Sequence, residues 1–95
     1  MRKIVLYGTS TWPGCEPVKE FLSENNINYA YVDICSSIMS LKSFLKIRDT
    51  SEAYAKVRER HSAGIPMLMI DDDVNLISGV EKVKELVEKY NLKEE

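Results

Sequence analysis

The chain has 95 residues, 44% of them hydrophobic and 29% charged, which suits one soluble domain with a single modest core. A formal net charge of −2 gives it no electrostatic footprint for nucleic acid or an anionic membrane. No apolar run spans a bilayer and the N-terminal one is too short for a signal peptide, so a cytoplasmic location is expected; there, two cysteines point to chemistry or plain burial rather than a structural disulfide.

Ile4, Val5, Leu6 and Tyr7 follow one another and end at Gly8, the pattern of a short strand buried on both faces. A turn follows, Thr9-Ser10-Thr11-Trp12-Pro13-Gly14-Cys15. Val18, Phe21 and Leu22 then fall at i, i+3 and i+4, which predicts a helix over residues 15–25, ended by Asn25-Asn26. Pro13 and Pro17 suit its entry, where their missing N–H groups have little to lose. Residues 27–34 alternate loosely as a second strand, completing a strand–helix–strand unit with a right-handed crossover.

Ser36 or Ser37 caps a second helix whose apolar face would be Ile38, Leu41, Phe44 and Leu45. Asp49 and Glu52 have capping-box spacing for a third, expected to reach about residue 62 and stop near Gly64. Residues 67–70 read as a strand, Asp71-Asp72-Asp73 as a tight turn and residues 74–77 as a partner strand. Val80, Val83, Leu86, Val87 and Tyr90 mark a last amphipathic helix. There is no repeat, linker or low-complexity segment, so residues 1–95 are expected to form one domain, with Lys93-Glu94-Glu95 frayed.

This order of elements, with its motifs, resembles the glutaredoxin branch of the thioredoxin fold over nearly the whole chain. In that family a strand ending in Tyr leads into a Cys-Pro-x-Cys turn, with a Lys four residues further along the helix. Tyr7, Trp12-Pro13-Gly14-Cys15 and Lys19 fall at those places. A Val-Pro with a cis proline facing the active site is matched by Ile65-Pro66-Met67, and a Gly-Gly-x-Asp element by Ser78-Gly79-Val80-Glu81. Residues 41–49 look like the same stretch in a group called glutaredoxin-related proteins, and residues 33–66 are about one helix longer than in small glutaredoxins. The resemblance implies a thioredoxin-like α/β fold. Its four-stranded mixed sheet would carry helices on both faces and one extra helix before the cis-proline strand.

It also implies a thiol–disulfide oxidoreductase, or a selenol–disulfide one in the native gene. Position 12 would attack, favoured as a thiolate by the free N–H groups and dipole of the helix start, and Cys15 one turn on would resolve the mixed disulfide. Pro13, Gly14, Ile65, Pro66, Gly79, Val80 and Glu81 would line the substrate or glutathione site. The implied partners are a protein or small-molecule disulfide and either glutathione or a thioredoxin-type reductant, with no bound cofactor and a monomeric chain. Two departures leave half of a glutathione site: Thr9 replaces a Lys that would pair with a carboxylate, and Gly14 replaces an aromatic.

Trp12 is the larger departure, because an indole has no part in thiol exchange. Three readings stand. Trp12 is a natural surface or binding aromatic in a non-catalytic module that lost its nucleophile. Or it marks an engineered or misread site, for instance selenocysteine, whose UGA codon is one base from the tryptophan codon UGG. Or the alignment is shifted and Cys15 is itself the nucleophile, against which the spacing to Lys19 argues. With Trp12 in place, exchange should be absent or nearly so, and iron–sulfur scaffolding through the first cysteine should not occur.

Other residues carry plainer expectations. Cys35 follows the second strand, as a redox partner or as packing. His61, Arg58 and Arg60 read as solvated, and Lys46 or Arg48 as surface charge that could meet a substrate carboxylate. The three aspartates lack the Gly and distal Glu of a calcium loop, and Cys15, Cys35 and His61 lack metal-ligand spacing.

Overall fold

The computed structural model describes residues 3–9, 11–12, 14–60, 64–77 and 79–92. Its sheet is built on β1 (Ile4–Gly8), the apolar run read as doubly buried. β1 pairs in parallel with β2 (Ala30–Asp33) and antiparallel with β3 (Met67–Ile70), which pairs antiparallel with β4 (Asp73–Leu76). The order is β2-β1-β3-β4, a four-stranded mixed sheet.

Both faces of the sheet are covered. On one lie α1 (Cys15–Glu24) and α4 (Val80–Tyr90), whose Val18, Leu22, Val83 and Leu86 pack on Ile4, Leu6, Leu68 and Ile70. On the other lie α2 (Ile38–Thr50), a 3-10 turn (Glu52–Tyr54) and the short α3 (Ala55–Glu59). There Phe44 and Tyr54 meet edge to face at 5.9 Å and pack with Tyr7, Ile65 and Met67. Burying such side chains, each worth about 1.5–3 kcal/mol, is what holds the layers together.

Several boundaries and one helix face differ from the sequence expectation, each for a local reason. The second strand starts at Ala30, not at residue 27. Asn26 takes a left-handed conformation (φ 57°), and its N–H donates to the Ser23 carbonyl while the Ile27 N–H donates to the Leu22 carbonyl. That pair of bonds closes α1, so the Ile27 backbone is already committed. Ile38 is not on the inward face of α2: it is the first helical residue and 70% exposed, and burial starts a turn later at Leu41. Ser37 caps this helix, its Oγ accepting from the Ser40 N–H at 3.1 Å.

Asp49 does not start a third helix, because α2 runs on through Thr50. Ser51 is the cap instead, accepting from the Ala53 N–H, and the helix that follows ends at Glu59. The Asp71-Asp72 turn joins β3 to β4 with positive φ at both residues (50° and 75°), so β4 begins one residue earlier than expected, at Asp73. Arg58 also departs from expectation. It is a tie rather than a solvated residue: its guanidinium donates to the carbonyls of Arg48 at 2.6 Å and Ser51 at 2.8 Å, binding α3 to the end of α2. The readings of His61 and of residues 93–95 lie outside the described residues.

Candidate active site

The turn between β1 and α1 is held by its own backbone. The Trp12 N–H donates to the Thr9 carbonyl and the Cys15 N–H donates to the Trp12 carbonyl, both at 3.1 Å. Thr9 is buried, and its hydroxyl lies 3.3 Å from that of Thr11. Gly14 occupies the N-cap of α1 without a side-chain cap, and Cys15 is the first helical residue.

The two ends of the turn face opposite ways. Trp12 is 44% exposed, whereas Cys15 is fully buried. Cys15 fits because position 8 is glycine: a Cβ there would stand 2.7 Å from Cys15 Sγ. On the outer side, a Cβ at Gly14 would stand 3.7 Å from Pro66 Cδ and 3.8 Å from the Trp12 indole. Trp12, Gly14 and Pro66 therefore share one small volume. The Ile65–Pro66 peptide bond is cis, and both residues are buried.

The Pro66 carbonyl accepts from the Ile77 N–H at 3.1 Å, which draws the end of β4 and the approach to α4 alongside. Gly79 precedes α4 with nothing within 4 Å of where its Cβ would be, so this edge is open. Val80 is half-buried, and the 88% exposed Glu81 carboxylate pairs with Lys84 at 3.5 Å. Pro13 and Ser78 lie outside the described residues.

Electrostatics at Cys15 oppose the thiolate. Burial pushes its pKa up from 9.0; a backbone hydrogen bond from Thr9 works the other way, Glu16 and Asp33 add to the rise, and Lys19 offsets part of it. Lys19 sits 3.5 Å from Glu16 and 4.1 Å from the centre of the Tyr31 ring. Tyr31 is a residue that sequence reasoning passed over. It stands opposite Leu6 in the β1–β2 register, two residues before the Gly8–Asp33 pair, and its ring reaches the same space beside Gly8 as Cys15. Burial, then Asp33 and Cys15, push its phenol up to about 12.

Cys15 and Cys35 are both free, and Cys35 is exposed, its N–H donating to Asp33 at 2.9 Å. Lys46 and Arg48 belong to α2, where Arg48 lies 3.4 Å from Asp49. No group of three His, Cys, Asp or Glu able to hold a metal occurs among the described residues, and no described helix is long and apolar enough to cross a membrane.

Known proteins place this geometry. Residues 4–74 match the glutaredoxin family model. An uncharacterized glutaredoxin-like protein in the rubredoxin operon of Clostridium pasteurianum is 30% identical over 90% of this chain and 99% of its own. The glutaredoxin of Archaeoglobus fulgidus superposes with a TM-score of 0.65 at 26% identity, over 92% of this chain and 87% of that one. A glutathione transferase homolog of Drosophila mojavensis, solved with bound glutathione, gives a TM-score of 0.50 at 27% identity over 95% of this chain and 36% of that one. With the family model spanning most of its length and an archaeal glutaredoxin superposing on its sheet and helices, the chain belongs to the glutaredoxin family, whose function is of the thiol-redox type.

Proposed function

We propose that the fold serves thiol–disulfide exchange, with position 12 as the point of attack and Cys15 as the resolving thiol. One observation carries this reading: the side chain at position 12 and Pro66 border the same space beside Gly14 at the start of α1, with Cys15 one turn further on. A thiolate or selenolate at position 12 would attack a substrate disulfide. One substrate sulfur would leave as thiolate while the other stays in a mixed disulfide. Cys15, deprotonated, would then attack the sulfur or selenium at position 12, releasing the second substrate thiol and closing a 12–15 bond that an external thiol reductant reopens. As Trp12 the chain lacks the first step and is inactive or nearly so. A selenocysteine codon read as tryptophan accounts for an otherwise assembled site.

The substrate is a protein or small-molecule disulfide. Glutathione bound in the transferase homolog supports a thiol-peptide ligand, for which Ile65, Pro66 and the entry to α4 at Gly79, Val80 and Glu81 are the candidate site. Thr9 and Gly14 remove two family contacts, which weakens glutathione as reductant and leaves a thioredoxin-type reductant as the alternative. A second reading draws on the exposed indole beside Pro66: a non-catalytic module that uses Trp12 as a binding aromatic.

Trp12→Cys tests the choice. The proposed enzyme gains disulfide reductase activity with that single change, and the new cysteine titrates below the reference of about 8.5. A correctly folded variant with no activity supports the binding module instead.

A further inference from the structure

Among the described residues, one buried side-chain polar atom has no hydrogen-bond partner: the hydroxyl oxygen of Tyr31. Leaving such a group unpaired carries an uncompensated desolvation cost. A phenylalanine there would avoid the cost with the same ring, so the hydroxyl calls for an explanation. Its surroundings supply one. The ring of Tyr31 and the sulfur of Cys15 both lie within 4 Å of one point beside Gly8. Lys19 lies over the ring at 4.1 Å.

The titratable groups facing this pair are Glu16 and Lys19 from α1, Asp33 from the end of β2, and Tyr29 just before that strand. Asp33 already accepts from the Cys35 N–H. Two carboxylates thus stand against a negative sulfur, with the Thr9 backbone N–H, one ammonium and one hydroxyl able to favour it. The hydroxyl makes no hydrogen bond to the Cys15 sulfur in this structure; a neutral thiol is a weak acceptor, whereas a thiolate is a strong one that would draw the donor in.

We infer that Tyr31 is a positioning residue for Cys15, its hydroxyl held ready as the hydrogen-bond donor to the Cys15 thiolate when that thiolate attacks. The inference rests on Cys15 being an exchanging thiol. It makes Tyr31 the device by which a deeply buried sulfur ionises during resolution.

The test uses the full chain with Cys35→Ser, which leaves Cys15 as the sole thiol of the two. The rate of its reaction with dithiodipyridine is followed against pH; the thiolate takes one sulfur of the probe into a mixed disulfide and thiopyridone leaves. Tyr31→Phe is expected to move the midpoint of the profile up by about one pH unit, slowing the reaction near neutrality about tenfold. Fluorotyrosine placed at position 31 alone, a stronger donor, should move the midpoint down. This second arm decides the matter if Tyr31→Phe fails to fold. A Tyr31→Phe profile equal to the parent's, or a midpoint unmoved by fluorotyrosine at position 31, overturns the inference while the exchange reading survives. A folded parent whose Cys15 is inert at every pH overturns both.

Discussion

Trp12 and Cys15 are three residues apart in one turn, and the structure treats them in opposite ways. Cys15 is fully buried at the start of α1, its sulfur filling the space beside Gly8 that a Cβ would take, with Tyr31 at the edge of the same space. Trp12 lies on the surface, touching Gly14 and near Pro66, and nothing encloses it. The inner half of the turn is a built slot, while the outer half is a platform on which the side chain can change without disturbing the fold. On the proposed reading, the site can lose or exchange its attacking residue while its resolving residue stays in place.

The contrast can be broken most strongly at Gly8. Gly8→Ala drives a Cβ to 2.7 Å from Cys15 Sγ, so overpacking should cost about 1–3 kcal/mol, read as a lower denaturation midpoint. A variant as stable as the parent would mean that the slot is loose. Alkaline pH probes the same end. Below about pH 9 the thiol is protonated in both folded and unfolded chains; above it the unfolded chain releases its proton first, because burial raises the folded pKa from 9.0. Stability should therefore fall as pH rises past 9, and fall again above 10 as the phenols of Tyr31 and Tyr54, both raised by burial, follow. Cys15→Ala should remove the first part of that slope in denaturation curves taken across the range, and an unchanged slope would detach it from Cys15. The smallest effect belongs to the outer end. Trp12→Ala should shift stability by no more than about 0.5 kcal/mol, and a larger loss would make the indole part of the core.

Legibility in the sequence follows the same physics. The α1 and α4 helices and the strands β1 and β3 can be read from apolar spacing because each presents its apolar residues to one shared core. The order of elements, with the turn before α1 and the Pro before β3, is enough to place position 12, Gly14 and Pro66 together. The α2–α3 region is less readable because short-range polar bonds set its boundaries. Ser51 outcompetes Asp49 as a cap, and Arg58 reaches back to two carbonyls, a contact with no periodic signature. Tyr31 is hidden for a different reason. In sequence it is one more aromatic of a strand, and only the β1–β2 register brings it to Gly8 and the sulfur.

The central claim is that the scaffold is built for exchange and lacks its first nucleophile. It is tested most directly by assaying Trp12→Cys beside the parent, with a glutathione mixed disulfide and with a protein disulfide. The account predicts turnover by the variant, little or none by the parent, and a preference between the substrates that identifies the reductant to seek. A folded Trp12→Cys chain that turns over neither substrate would contradict it and make the groove beside Pro66 a binding site alone.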